Sequence, residues 1–196
     1  MRFIYEIAVD ATHQHAASLP WGLTGVFGYG TGTPDIEWTA KDKARFPYAH
    51  VLMYDQSATL QGFASGKDDI ADVERGAGTL SAFIRAAQIR KGRRQGSALY
   101  INYAVWEAAE LAVVSAHLVS EVSYGIANWN WSMTEAIAFM EHNVSVRYVQ
   151  FASPASNPRT LVPGTNKTLA EIPCDLSVKR ADWWPAPVPY ALGWRE

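Results

Sequence analysis

The sequence predicts an α/β protein of the (β/α)8 TIM-type barrel class, compact and with some of the outer helices reduced to loops. Three observations lead there. Eight short runs have strand character, several of them are apolar throughout as strands covered on both faces are, and amphipathic helical patterns alternate with them through the middle of the chain. An open doubly wound sheet is the competing arrangement. It lacks support, because the first strand is not followed by a Gly-x-Gly-x-x-Gly turn and no phosphate cradle is evident.

Taken in order, the strand-like runs are 3–10, 25–29, 50–54, 69–74, 98–102, 125–129, 145–151 and 171–176. Between them, Thr79 to Lys91 places Leu80, Phe83, Ile84 and Ala87 on one stripe; Tyr103 to Val119 and Ser132 to His142 are similarly amphipathic. Ser132 with Glu135 fits a capping box. The segments 56–68 and 153–170 are rich in Gly, Ser, Pro and Asn and read as loops. Residues 1–181 form one barrel domain on this reading. Residues 182–196, with Trp183-Trp184-Pro185, Pro187 and Pro189, form a Trp/Pro-rich tail packed on the barrel or on a partner.

The bulk numbers narrow the function. A chain of 196 residues is long enough for one real core and short for two domains. Net charge is -2 and the basic residues are scattered; the one cluster, Arg90-Lys91-Gly92-Arg93-Arg94, closes a predicted helix, so no nucleic-acid partner is expected. Cys174 is alone, which excludes an internal disulfide and a cysteine-based metal site. Met1 to Val9 runs into a strand and carries Glu6, unlike a signal peptide, and no apolar stretch is long enough to span a bilayer. The chain is thus expected to be made in a cytoplasm, with no membrane partner, and to reach any extracellular target after lysis or as part of a virus particle.

Candidate chemistry comes from the acids at strand ends. Asp72 and Glu74 alternate at the end of the fourth run, so on a strand they share a face with Cα atoms about 6.6 Å apart. Like charges that close push one member towards holding a proton, as a general acid requires, which points to glycosidic bond chemistry. Asp10 ends the first run, Asp55 follows the third and Asp175 lies near the end of the eighth; in a parallel barrel these ends meet at one face. For Asp10 and Asp55, helix capping or turn formation is an equal reading.

Aromatic and amide residues join them. The 8 Trp exceed ordinary usage, and Trp38, Trp106, Trp129 and Trp131 lie at or beyond strand ends, where flat rings suit sugars; at least half of the eight are expected to be structural. Asn102, Asn128, Asn130 and Gln150 are candidates for hydroxyl and acetamido groups. His13 and His15 flank Gln14 without a third ligand at a suitable spacing, so neither a metal nor any other cofactor is expected. No Gly-x-Ser-x-Gly elbow is present, and Cys174 has no evident His partner.

The ordered fragments resemble the glycoside hydrolase family 25 lysozymes and related glycoside-hydrolase-like barrels of phage and actinobacterial type. The resemblance lies in Ala8-Val9-Asp10, Asp72-Val73-Glu74, Leu99-Tyr100-Ile101-Asn102, Gly125-Ile126-Ala127-Asn128-Trp129, Val149-Gln150-Phe151 and Cys174-Asp175-Leu176, and covers nearly the whole chain in order. The chain departs from the family at Asp10-Ala11-Thr12-His13, where Asp-Val-Ser is usual, and at Asp68-Asp69-Ile70-Ala71, where a plain apolar run is usual. The resemblance implies that Glu74 protonates the leaving oxygen, that Asp72 orients an acetamido group or stabilises ring charge, and that Asp10 and Asp175 support the site. It implies cleavage of the β-1,4 bond after N-acetylmuramic acid in peptidoglycan, with Asp55, Tyr100, Asn102, Asn128, Trp129 and Gln150 on the substrate side. The alternative is an inactive barrel kept as a virion component, such as a minor tail or baseplate protein, that binds a host glycan and contacts other virion proteins through its tail.

Overall fold

The computed structural model describes residues 3–74 and 78–183. Eight strands close into one barrel in sequence order: β1 (Tyr5–Asp10), β2 (Gly25–Thr31), β3 (His50–Asp55), β4 (Ile70–Asp72), β5 (Ser97–Asn102), β6 (Val122–Ala127), β7 (Val146–Ala152) and β8 (Asp175–Arg180). The first seven run parallel. β8 runs antiparallel to both β7 and β1, so the barrel is mixed where an all-parallel one was expected. β8 also starts late, at Asp175, the fifth residue of the 171–176 run expected to be the strand, and continues to Arg180; Pro173 lacks the N–H a ladder needs and stands just outside.

Six helices surround the barrel: α1 (His13–Ala16), α2 (Ala40–Ala44), α3 (Gln61–Ser65), α4 (Leu80–Gly92), α5 (Trp106–Ser115, preceded by a 3₁₀ turn at Tyr103–Val105) and α6 (Met133–His142). The first three are single turns. The long ones carry the expected apolar stripes, and α6 starts on the expected Ser132–Glu135 capping box. α3 lies inside the segment expected to be loop; it is bracketed by left-handed residues, Leu60 (φ 52°) and Gly66 (φ 85°), which let the chain enter and leave a tight turn. No helix joins β7 to β8. Among the described residues no helix is long and apolar enough to cross a membrane.

Strand alternation sorts side chains into an interior and two outer cores. Outward residues of β4–β7 pack under α4, α5 and α6, with Phe83, Leu99, Val113, Ile126 and Met140 fully covered. Outward residues of β1–β3 and β8 pack under the short helices and the 153–174 connection. The interior holds Phe27, Leu52, Tyr54, Ile70, Tyr100 and Tyr148, closed from below by Trp183. Tyr148 needs the missing side chain at Gly125, because a Cβ there would stand 1.9 Å from its ring. Below the aromatic layer, Lys179 Nζ pairs with Glu6 at 2.7 Å and bonds the Arg180 and Trp183 carbonyls, which satisfies an otherwise costly buried ammonium. Asp182 and Trp183 are the described part of the expected tail; the rest of it, 184–196, lies outside the described residues.

The basic cluster closes α4 as expected, with one of its members turned inward. Arg90 is buried, donating to the carbonyls of Phe63 (2.7 Å) and Gly96 (2.8 Å) with its guanidinium 4.4 Å over the Phe63 ring. α4 runs through Gly92 and caps at Arg93, and the left-handed residue is Arg94 (φ 58°), not Gly92.

Candidate active site

The ends of the parallel strands make one mouth, and the start of β8 reaches the same mouth because that strand is reversed. Asp10, last in β1, and Asp175, first in β8, are cross-strand partners. Asp72, last in β4, also points inward, sharing its alternation with Ile70 of the interior layer. Asp10 and Asp72 are almost fully buried, at 3% and 2% exposure. Gln150 of β7 is buried beside them and donates from Nε2 to Asp10 Oδ2 (3.3 Å) and Asp175 Oδ2 (3.0 Å). Gln56, in the turn after β3, donates to Asp72 Oδ2 at 2.9 Å.

β4 ends at Asp72, two residues short of the expected strand. The reason is local: Asp72 Oδ1 accepts the Glu74 backbone N–H at 3.0 Å, a side-chain turn that bends the chain out of the ladder. Asp72 and Glu74 therefore do not share a strand face as the alternation argument required. Glu74 is half-buried on this bend, and after burial its charge is the largest influence raising the Tyr100 hydroxyl of β5.

Electrostatics follow from crowding. Burial, then Asp175 and Asp72, push the Asp10 carboxyl well above the usual carboxylate range, while Gln150 and the Tyr29 hydroxyl act the other way. Tyr29 is pushed up in turn by burial and by Asp10, Asp72 and Asp175, so its hydroxyl stands among all three acids. Beneath them Tyr54 and Tyr148 are also held neutral by burial.

Two hollows open at the mouth. One of about 150 Å³ is lined by Asp10, Thr12, His15, Tyr29, Pro154 and Asp175. The other, about 210 Å³, is lined by Asn102, Tyr103, Asn128, Trp129 and Asn130. Asn102 Oδ1 accepts from Ala104 N (2.9 Å) and Asn128 Oδ1 from Asn130 N (3.2 Å), so both oxygens are held by local turns and the amide nitrogens are the ends left to meet a ligand.

The structure thus brings together Asp10, Asp72, Asp175, Glu74, Asn102, Asn128, Trp129 and Gln150. It does not bring Asp55 or a reachable Tyr100. Asp55 points outward and is fully covered, accepting from Ser57 N (2.9 Å), Ser57 Oγ (2.6 Å) and Phe63 N (2.8 Å), the turn-forming role that was the equal reading. Tyr100 is interior packing, 5.3 Å from Tyr54 and 5.8 Å from Tyr148 between ring centroids. Trp38 donates to the Ala11 carbonyl and stacks on Phe46; Trp106 lies edge-on to Tyr124; Trp131 packs on Tyr103 and Phe139. His13 is tied to Asp42 at 2.7 Å. Among the described residues no three His, Cys, Asp or Glu side chains gather as a metal site.

Sequence reasoning missed Tyr29 and Gln56. Tyr29 shares the Phe27 alternation, a signal that it faces inward near the strand end; nothing in the pattern singled out Gln56. Comparison with protein-family models, curated proteins and solved structures gave no match.

Proposed function

We propose that the protein is a muramidase-type glycoside hydrolase of the cell wall, built on a TIM-type barrel whose last strand is reversed, that cleaves the β-1,4 bond after N-acetylmuramic acid in peptidoglycan. The observation that carries the reading is the meeting of Asp10, Asp72, Glu74 and Asp175, drawn from both ends and the middle of the chain, around one mouth. Burying that much acid is costly unless it serves protons or polar ligands.

In this reading Glu74, the most exposed of the acids that crowd Tyr100, donates its proton to the leaving glycosidic oxygen. Asp72, fixed by Gln56 and by the Glu74 amide, faces the charge that forms in the ring or orients an acetamido group. Asp10 and Asp175, both bonded by Gln150, support the site from the β1–β8 side of the pocket. Trp129 supplies a ring face, and the amide nitrogens of Asn102 and Asn128 supply donors for the sugar's carbonyl and hydroxyl oxygens. Encounter with the wall follows lysis or delivery in a virion.

The test is Glu74→Gln on purified cell walls. Reducing-sugar release should fall about 10²–10⁴-fold, the usual contribution of a general acid, with the melting temperature unchanged. A wild-type protein that releases no reducing sugar from any wall preparation ends the reading. One observation favours a second, non-catalytic one: Gln56 and Gln150 already occupy oxygens of the buried acids, which suits a glycan-binding mouth as well as a cleaving one. Stoichiometric presence in a purified virus particle, without sugar release, would select that alternative.

A further inference from the structure

The reversal of β8 sets Asp175 directly across from Asp10, a register in which opposed Cα atoms lie about 5 Å apart. Gln150 sits on the other neighbour of β8, facing Ser177 across that ladder, and is 1% exposed. Its amide nitrogen carries two N–H groups, and both have an acceptor: Asp10 at 3.3 Å and Asp175 at 3.0 Å. No donor is left for a sugar. The carbonyl end, Oε1, is buried too, and among the described residues it takes no hydrogen bond. A residue so enclosed does not read substrate.

We propose that Gln150 is a positioning residue, whose amide clamps the Asp10 and Asp175 carboxyl groups into one acid pair at the centre of the mouth. Two carboxylates facing each other repel, and they stay together only when donors or a shared proton lie between them. Gln150 supplies the donors. Burial, then Asp175 and Asp72, push the Asp10 carboxyl well above the usual carboxylate range, and the Gln150 amide and the Tyr29 hydroxyl oppose this by bonding the charged form. The other groups facing the pair are Asp72 from β4, Tyr29, Tyr54, Tyr100 and Tyr148 from β2, β3, β5 and β7, and His15 at the pocket rim. The four tyrosines are neutral, as is Cys174 beside Asp175, pushed up to about 12 by burial. The charge balance of the pair therefore turns on Gln150, Tyr29 and Asp72.

The kinetic arm of the test rests on the hydrolase reading; the titration arm does not. Gln150→Met keeps the length of the side chain and removes both donors. The Asp10 carboxyl, followed by ¹³C NMR, should titrate at higher pH than in the wild type. On cell walls kcat should fall about tenfold with KM within about twofold, and the pH profile should move the same way as the Asp10 titration. Gln150→Asn, too short to span both acids, should shift in the same direction and gives the measurement if the Met variant does not fold. An Asp10 titration that is unchanged or lowered in a folded variant overturns the clamp, as does a raised KM at constant kcat, the mark of a substrate contact. If the wild type cleaves no wall, the hydrolase reading fails while the clamp still stands or falls on the titration.

Discussion

Gly125→Ala tests whether the floor of the mouth is as tightly specified as the packing indicates. A Cβ on residue 125 would stand 1.9 Å from Tyr148 Cζ and 2.3 Å from both Cε1 and Oη, against an ordinary contact of about 3.5–4.0 Å. The ring must withdraw by about 1.5 Å or more to restore contact distance. It has nowhere to go: Phe27 lies 4.8 Å from its centroid, Trp183 5.4 Å and Tyr100 5.8 Å. Overpacking a rigid core costs about 1–3 kcal/mol, and a ring held on several sides belongs at the upper end. About 3 kcal/mol lowers Tm by about 6–12 °C in a chain of this size. The assay is thermal unfolding of Gly125→Ala, of Tyr148→Leu and of the double variant. Because the clash needs both partners, the double variant should be less destabilised than the sum of the singles by about 2 kcal/mol. Strict additivity, or a Gly125→Ala protein as stable as the wild type, would refute the packing argument.

Two further substitutions probe acids that the fold uses outside the mouth. Asp55→Ala strands the buried N–H of Phe63, at about 1–3 kcal/mol, and releases the part-buried N–H of Ser57, so Tm should fall by several degrees while wall turnover per folded molecule stays at the wild-type level; a selective loss of turnover would return Asp55 to the site. Asp68 is pushed up to about 6 by burial, against a hydrogen bond from Thr31. An unfolded Asp titrates near about 3.9, so the unfolded chain gives up this proton first and Asp68 lowers stability as pH rises from about 4 to about 6. Asp68→Asn should flatten the Tm-against-pH curve in that window, and an unaltered slope would refute the assignment.

Much of the architecture was legible in the chain. Seven of the eight strands formed close to the expected runs, because short apolar segments bounded by turn residues have few other places to go, while β8 shares only Asp175 and Leu176 with its run. The helices α4, α5 and α6 were legible from their apolar stripes. The single-turn helices α1, α2 and α3 were not, since four or five residues cannot display a 3.6-residue period. The shift of β8 has a different cause. The strand runs on into two charged residues, Lys179 and Arg180, yet each is 1% exposed. Lys179 is neutralised by Glu6, while Arg180 donates to the Met140 carbonyl at 2.6 Å and lies over the Phe3 ring. These partners come from the other end of the chain or from α6, so no local pattern announces them.

The acids show how a correct location can follow from incorrect local geometry. Asp175 was placed at the mouth as the end of a parallel strand; it is the start of an antiparallel one, and the two differences cancel in position. They do not cancel in partnership. A parallel final strand ending there would have set Asp175 beside Asp10 through slanted ladder bonds, whereas the antiparallel register opposes the two residues directly and lets one amide from β7 reach both. Conversely, Asp72 and Glu74, close in sequence, lose their common strand face to the turn that Asp72 itself makes. The two acids of this mouth that one buried amide reaches therefore come from opposite ends of the chain, a pairing that no local pattern in the sequence announces.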